Sequence, residues 1–265
     1  MRATKLYSAA LGFAQGSSLR VGVISDLHSN VKYDMFSAAQ GNQFSNSVTD
    51  NCWASGPLAD EPSPWARYGC DPSPDLVDAM MRHFVESFGV PDVLLVSGDN
   101  VAHGINVDRG EGTQEDYEAV KDNIATTAAI VRKYFSDTLI LNTLGNNDAQ
   151  YHNQAPDEDI KSDFYSFLFD QWFTMMPGNA SLAKDRAIYD SIMTAGFYRV
   201  DLSETLSVLV VNAQYFELED ETEYQANEGT QILDWLEDNL VKNVGSDRKF
   251  IILDHVYAGA RFESE

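Results

Sequence analysis

The run Arg20-Val21-Gly22-Val23-Ile24-Ser25-Asp26-Leu27-His28 constrains this chain more than any other stretch. Val21, Val23 and Ile24 are β-branched, polar residues close the run at Ser25, and it is too short for a helix, so it reads as a buried strand. Side chains alternate along an extended backbone, which would send Asp26 and His28 to one side. A carboxylate and an imidazole leaving a strand's carboxyl end together suit a hydrolytic divalent metal. A strand that merely finishes in polar residues is the competing reading, and the other strand ends must decide.

Ser73 and Pro74 open a helix in which Leu76, Val77, Met80, Met81, Phe84, Val85 and Phe88 share one apolar face, and Gly89 ends it. Pro91 introduces a second buried strand over Asp92 to Ser97, running into Gly98-Asp99-Asn100 with His103 after it. A helix from Gln114 to Phe135 leads to a third strand, Thr138 to Thr143, which runs into Leu144-Gly145-Asn146-Asn147-Asp148. Asp159 to Ile192 reads as helical, its aromatics Phe164, Tyr165, Phe167, Phe169, Trp172 and Phe173 serving as core or cleft wall. Phe197 to Leu202 and Leu206 to Ala213 read as a hairpin. A helix over Thr230 to Leu240 then buries Ile232, Leu233, Leu236 and Leu240, and another buried strand, Lys249 to Leu253, ends in Asp254-His255. This alternation is that of an α/β sandwich with parallel pairing, in which ligands gather beyond the carboxyl ends of the strands.

A formal charge of -23, from 18 Lys and Arg against 41 Asp and Glu, argues against a nucleic-acid partner. No apolar run reaches the ~18 residues of a membrane helix, so no transmembrane segment is expected. Residues 1–18, with Arg2 and Lys5 before the moderately apolar Leu6 to Ala14, read as either a signal peptide or a ragged terminus, and residues 19–265 as one domain. Tyr33 to Ser73 reads as a long surface loop. A disulfide between Cys52 and Cys70, the only cysteines, would pin it, and Asn179-Ala180-Ser181 is a glycosylation sequon. Both point to a secreted, lysosomal or vacuolar protein, although two reduced cysteines and a chance sequon fit the same residues.

Four strand ends thus present Asp26 and His28, then Asp99, then Asn146, then His255. In this the chain resembles the calcineurin-like metallophosphoesterase superfamily, whose blocks run Asp-x-His, Gly-Asp, Gly-Asn-His-Asp or Glu, His, and Gly-His-x-His. The first four are present in order. Within it, the chain is similar to the acid sphingomyelinase-like phosphodiesterases from Val21 to His255, through Tyr68-Gly69-Cys70-Asp71 before Leu76-Val77, Gly98-Asp99 with His103, Gly196-Phe197-Tyr198 with Val200-Asp201-Leu202, and Asp234-Trp235-Leu236. The resemblance implies a four-layer αββα sandwich of two mixed sheets and a metal-dependent phosphodiesterase acting on a small phosphoester. It implies two divalent ions, zinc by analogy, that make hydroxide available for in-line attack. Asp99 would bridge them, Asp26 and His28 completing one site and Asn146 and His255 the other. His103 would contact the phosphate or help protonate the leaving oxygen.

Two departures qualify the resemblance. Asn147 stands where most relatives have histidine; it can donate a hydrogen bond to developing phosphorane charge but cannot supply a proton as imidazolium does. Gly145-Asn146-Asn147-Asp148 followed by His152-Asn153, and Gly98-Asp99-Asn100, instead resemble the vacuolar endopolyphosphatases, which makes polyphosphate cleavage the alternative activity. Second, no Gly-His-x-His follows His255. The chain is therefore expected to be incomplete at its C-terminus relative to the family, and a non-catalytic remnant or binding protein is the alternative from another class. Of the remaining residues, Asp148 is expected to orient its loop and His83 to be structural or exposed. Arg109 could touch a substrate phosphate, and Glu217, Glu219, Asp220, Glu221 and Glu223 form a solvated run or a weak calcium site.

Overall fold

Three short strands, β1 (Val21–Ile24), β2 (Val93–Val96) and β3 (Leu139–Asn142), pair in parallel in the order β1-β2-β3. Parallel neighbours need crossovers, supplied by the helices α1 (Pro74–Phe88) and α2 (Gln114–Tyr134). The computed structural model describes residues 18–33, 65, 70–106, 113–216 and 223–256. Local chemistry sets the helix starts. Ser73 Oγ accepts the Leu76 N–H at the head of α1, with Pro74 in the first turn, and Thr113 and Asp116 form a reciprocal capping box on α2.

The chain then builds α3 (Glu158–Phe169), which continues as a π turn over Asp170–Thr174, and α4 (Arg186–Ala195). A second sheet follows, with β4 (Tyr198–Asp201) antiparallel to β5 (Leu206–Val210) and β5 parallel to β6 (Lys249–Leu253) across the helix α5 (Glu223–Val241). The first sheet is parallel throughout and the second mixed. Leu95 and Leu141 of the first share one core with Val200, Val208 and Val210 of the second, together with Phe164, Tyr165, Phe173 and Tyr198. A separate cluster of Val77, Met81, Leu94, Val131, Phe135 and Ile140 packs α1 and α2 on the first sheet, while Phe197, Val211 and Ile232 seat α5 on the second. Helix, sheet, sheet and helix make the expected four layers.

The outer edge of β3 is closed by side chains rather than by a strand. Asn179 Oδ1 accepts the Ile140 N–H and its Nδ2 donates to Ile140 O and Trp172 O, while Tyr198 Oη accepts the Asn142 N–H at 2.9 Å and donates to Asn142 O at 2.8 Å. Backbone groups buried at a sheet edge need such partners. Asn179 is fully buried, so the sequon's amide is committed to the fold and is not presented for glycosylation.

Several expectations are corrected. The first strand is not buried: as the edge of its sheet it leaves Val21 39% and Val23 61% exposed, while Gly22 packs inward under Phe84 and Leu94 and Ile24 is partly buried against the same cluster. The last strand is not buried either, since Lys249 and Ile252 are exposed and only Leu253 is buried. In α1, Met80 lies on the flank of the stripe and Phe88 at the helix end, and both are exposed. Helix α5 starts at Glu223 and buries Ile232, with Trp235 and Leu236 packed beside it, while Leu233 and Leu240 face outward. His83 is exposed and lies beside Ser87. Residues 1–17, Cys52, Arg109 and the acidic residues Glu217 to Glu221 lie outside the described residues, as does the side chain of Glu223.

Candidate metal centre

Beyond Ile24 and Val96 the strands end, but their pairing continues. Asp26 N donates to Gly98 O, His28 N to Asp99 O and Ser29 N to Asn100 O, a ladder that closes on a bridge between Ser29 and Val101. Asp26, His28 and Asp99 all have left-handed backbones, at φ 55°, 41° and 54°. This replaces the expected strand alternation: Asp26 and His28 reach one centre because the backbone turns at each of them. Asp and His are among the side chains that tolerate this region, at about 1–3 kcal/mol each, and the flanking ladder holds them there.

Asp99 is the hub. It is 3% exposed, and its Oδ2 lies 3.4 Å from both His28 Nε2 and His255 Nε2. Each imidazole is fixed from behind, His28 donating from Nδ1 to Val101 O at 3.0 Å and His255 from Nδ1 to Ser97 O at 2.7 Å, so both direct Nε2 at the centre. Asp26 Oδ1 is 3.8 Å from His28 Nε2, and ligand atoms of Asp26, Asp99 and His255 lie within 4.8 Å of one another. Asn146 brings its amide oxygen to 3.0 Å from His255 Nε2, while its Nδ2 donates to Asn153 Oδ1 and His152 Nε2. The five residues singled out as metal ligands therefore converge. Two imidazole nitrogens, two carboxylates and an amide oxygen form a mixed N/O set that fits a divalent transition metal.

Electrostatics agree with a cation site. Burial opposes ionisation of Asp99, but His255 beside it holds the carboxyl down at about 2. Burial also disfavours charge on His255, and Asp99 overrides it, lifting the imidazole to about 9. Burial raises the neighbouring Asp254 to about 6.

Asn147 makes contacts that the sequence did not announce. It is 1% exposed, and both its backbone N–H (2.9 Å) and its Nδ2 (3.0 Å) donate to the Asp99 carboxylate. The backbone N–H and one of the two Nδ2 hydrogens are thus spent on orienting Asp99. Asp148 is fully buried and ties the second and third strand ends together, accepting from Asn100 N and Val101 N on Oδ1 and from Gly145 N and Asn100 Nδ2 on Oδ2. Burial and the charge of Asp99 push it up to about 6. It binds the loop, as expected from the sequence.

His103 stacks on His28 with ring centroids 3.9 Å apart. It is held by Asp71, which the sequence shows only as part of the cysteine-bearing loop motif. The signal was an acid immediately before Pro72-Ser73-Pro74, in a loop tied to the site by Asn30 N donating to Pro72 O.

Residues 19–264 match the family described as calcineurin-like phosphoesterase. The chain is 25% identical to the mouse (Mus musculus) acid sphingomyelinase-like phosphodiesterase 3b over 258 residues, 96% of this chain and 51% of that protein. The human (Homo sapiens) protein of the same name is also 25% identical, over 259 residues and the same shares. Sphingomyelinase phosphodiesterase D of Dictyostelium discoideum is 21% identical over 198 residues, 74% of this chain and 40% of that protein. The chain thus spans about half the length of these relatives or less. With the match running through every ligand-bearing strand end, the chain belongs to the calcineurin-like phosphoesterases, hydrolases of phosphoester bonds.

Proposed function

We propose that this domain is a metal-dependent phosphodiesterase of the sphingomyelinase-like type. The observation that carries the reading is Asp99 Oδ2 set between His28 and His255, with both imidazoles fixed through Nδ1. Asp99 would bridge two ions, Asp26 and His28 completing one site and Asn146 and His255 the other. Zinc suits this donor set. Bound divalent ions supply Lewis-acid charge to the phosphate and activate water for attack. The chain's own residues do the rest: Asn147 orients Asp99, His152 and Asn153 orient Asn146, and His103 protonates the leaving oxygen. The names of the relatives support a phosphodiester substrate.

The test is elemental analysis of the full chain together with hydrolysis of bis-p-nitrophenyl phosphate and a phosphocholine ester, with zinc supplied. Bound metal and turnover that both disappear in Asp99→Asn are expected. Shortening of long polyphosphate without diester turnover would assign the endopolyphosphatase-type activity instead. Neither metal nor hydrolysis would leave a non-catalytic binding protein.

A further inference from the structure

We propose that Asp71 is the positioning residue of His103, holding the imidazole so that Nε2 delivers a proton to the leaving oxygen. The inference rests on the phosphodiesterase reading above. Asp71 is 5% exposed, and it grips His103 at two points: Oδ2 accepts the His103 backbone N–H at 2.7 Å and Oδ1 accepts the ring Nδ1–H at 3.1 Å. The backbone contact fixes where the residue sits and the ring contact fixes how the ring is turned. The stack on His28 restricts the third degree of freedom, tilt, and sets the ring against a residue of the metal centre. With Nδ1 committed to the carboxylate, Nε2 is the nitrogen that faces away from Asp71.

Asp71, His28 and His103 also lie close enough to hold an ion, their ligand atoms within 4.8 Å of one another. That arrangement competes with the one already described. His28 has its Nδ1 on Val101 O and its Nε2 toward Asp99, so neither nitrogen is left for a separate cluster with Asp71. The carboxylate is the partner of His103.

The step balances as follows. Water gives one of its protons to solvent and its oxygen forms a bond to phosphorus, while the bond from phosphorus to the leaving oxygen breaks. The proton on His103 Nε2 goes to that oxygen, releasing an alcohol. The neutral ring keeps Nδ1–H on Asp71, and Nε2 regains a proton from solvent.

The test uses the full chain and Asp71→Asn. An asparagine oxygen can still accept the backbone N–H, but its NH2 then faces the ring and favours the other tautomer. In long-range 1H–15N spectra, with the ring assigned by its loss in His103→Gln, His103 should carry its proton on Nδ1 in the unsubstituted chain and lose it there in Asp71→Asn. Metal content should be equal in the two. For a diester with an alkyl leaving group, kcat should fall about 10- to 100-fold with KM within about twofold, and the fall should be at least about tenfold smaller for p-nitrophenolate, which needs little proton assistance. Equal losses on both esters would make Asp71 merely structural and overturn the proposal. So would loss of metal, which would make it a ligand, or an unchanged ring tautomer. A chain that hydrolyses neither ester refutes the functional reading instead, and the ring spectrum, which needs no turnover, still decides whether Asp71 positions His103.

Discussion

Replacing Asp148 by alanine removes the acceptor that joins two ligand-bearing loops. Four donors point at this carboxylate: Asn100 N at 2.8 Å, Val101 N at 3.0 Å, Gly145 N at 2.9 Å and Asn100 Nδ2 at 3.1 Å. At about 1–3 kcal/mol for each buried donor left unsatisfied, the gross loss is about 8 kcal/mol. Two terms offset it. The buried charge disappears, and with the carboxyl raised to about 6 its cost at pH 7 is about 3 kcal/mol. Water entering the space, which is about the size of one carboxylate, can serve at most one donor, worth about 2 kcal/mol. Asp148→Ala should therefore cost about 3–5 kcal/mol in urea denaturation at pH 7 with a chelator present. The folded pKa lies above the unfolded value of about 3.9, so ionisation of Asp148 withdraws stability as pH rises from about 4 to about 6 and withdraws no more above that. The substitution should thus cost more at pH 5 than at pH 7. Asp148→Asn keeps one oxygen for Asn100 N and Val101 N, and a flip of the Asn100 amide leaves only Gly145 N without an acceptor, so about 1–2 kcal/mol is expected. A cost below about 1 kcal/mol for Asp148→Ala, or equal costs for the two variants, would refute this account.

Asn147→Ala should weaken zinc binding about 10- to 100-fold in competition with a chromophoric chelator, because two hydrogen bonds to the Asp99 carboxylate come from this residue and truncation removes the side-chain one; unchanged affinity would show that Asn147 does not orient Asp99 for metal. Asn179→Ala should cost about 2–4 kcal/mol, since Ile140 N, Ile140 O and Trp172 O all lose their partner. Peptide mass mapping of the protein expressed behind an added secretion signal in eukaryotic cells should find Asn179 unmodified, and a glycan there would contradict its burial.

The layers and the convergence of the five candidate ligands were legible because they depend on patterns local in sequence. Ser73 followed by Pro74 announces α1 within one turn, and the apolar runs before Asp99, Asn146 and His255 need only periodicity to be read as strands. What stayed hidden depends on contacts distant in sequence. Val23 is β-branched and apolar, yet exposed, because sheet order rather than composition makes β1 an edge. Asn147 reads as a site donor until Asp99 is seen under it, 48 residues away in sequence. Asp71 and His103 are 32 residues apart, and the sequon at Asn179 reads as surface until its amide is found bonded to Ile140, 39 residues away.

The two glycines before the site, Gly98 and Gly145, explain why these loops cannot be decorated. At Gly98, with φ 93°, an added Cβ would lie 2.4 Å from Gly145 N; at Gly145 it would lie 2.1 Å from Asp99 Oδ1 and 2.2 Å from Asp99 N. Each loop therefore approaches the other to backbone contact, and that approach puts the Asp99 carboxylate under Asn147. A methyl group at Gly145 needs more than about 1 Å of extra space, which only a shift of Asp99 can give, and a site that needs its ligands within about 0.5 Å does not survive such a shift. Gly89 is the control. It too has a positive φ, 75°, but an added Cβ there meets only Arg20 Nη1 at 3.5 Å, so the cost is backbone strain alone, about 1 kcal/mol. Gly89→Ala should lower stability slightly and keep its metal, whereas Gly145→Ala should lose metal by elemental analysis even under conditions where circular dichroism shows it folded. If Gly145→Ala retained its metal, Asp99 would not be the residue about which the centre is built.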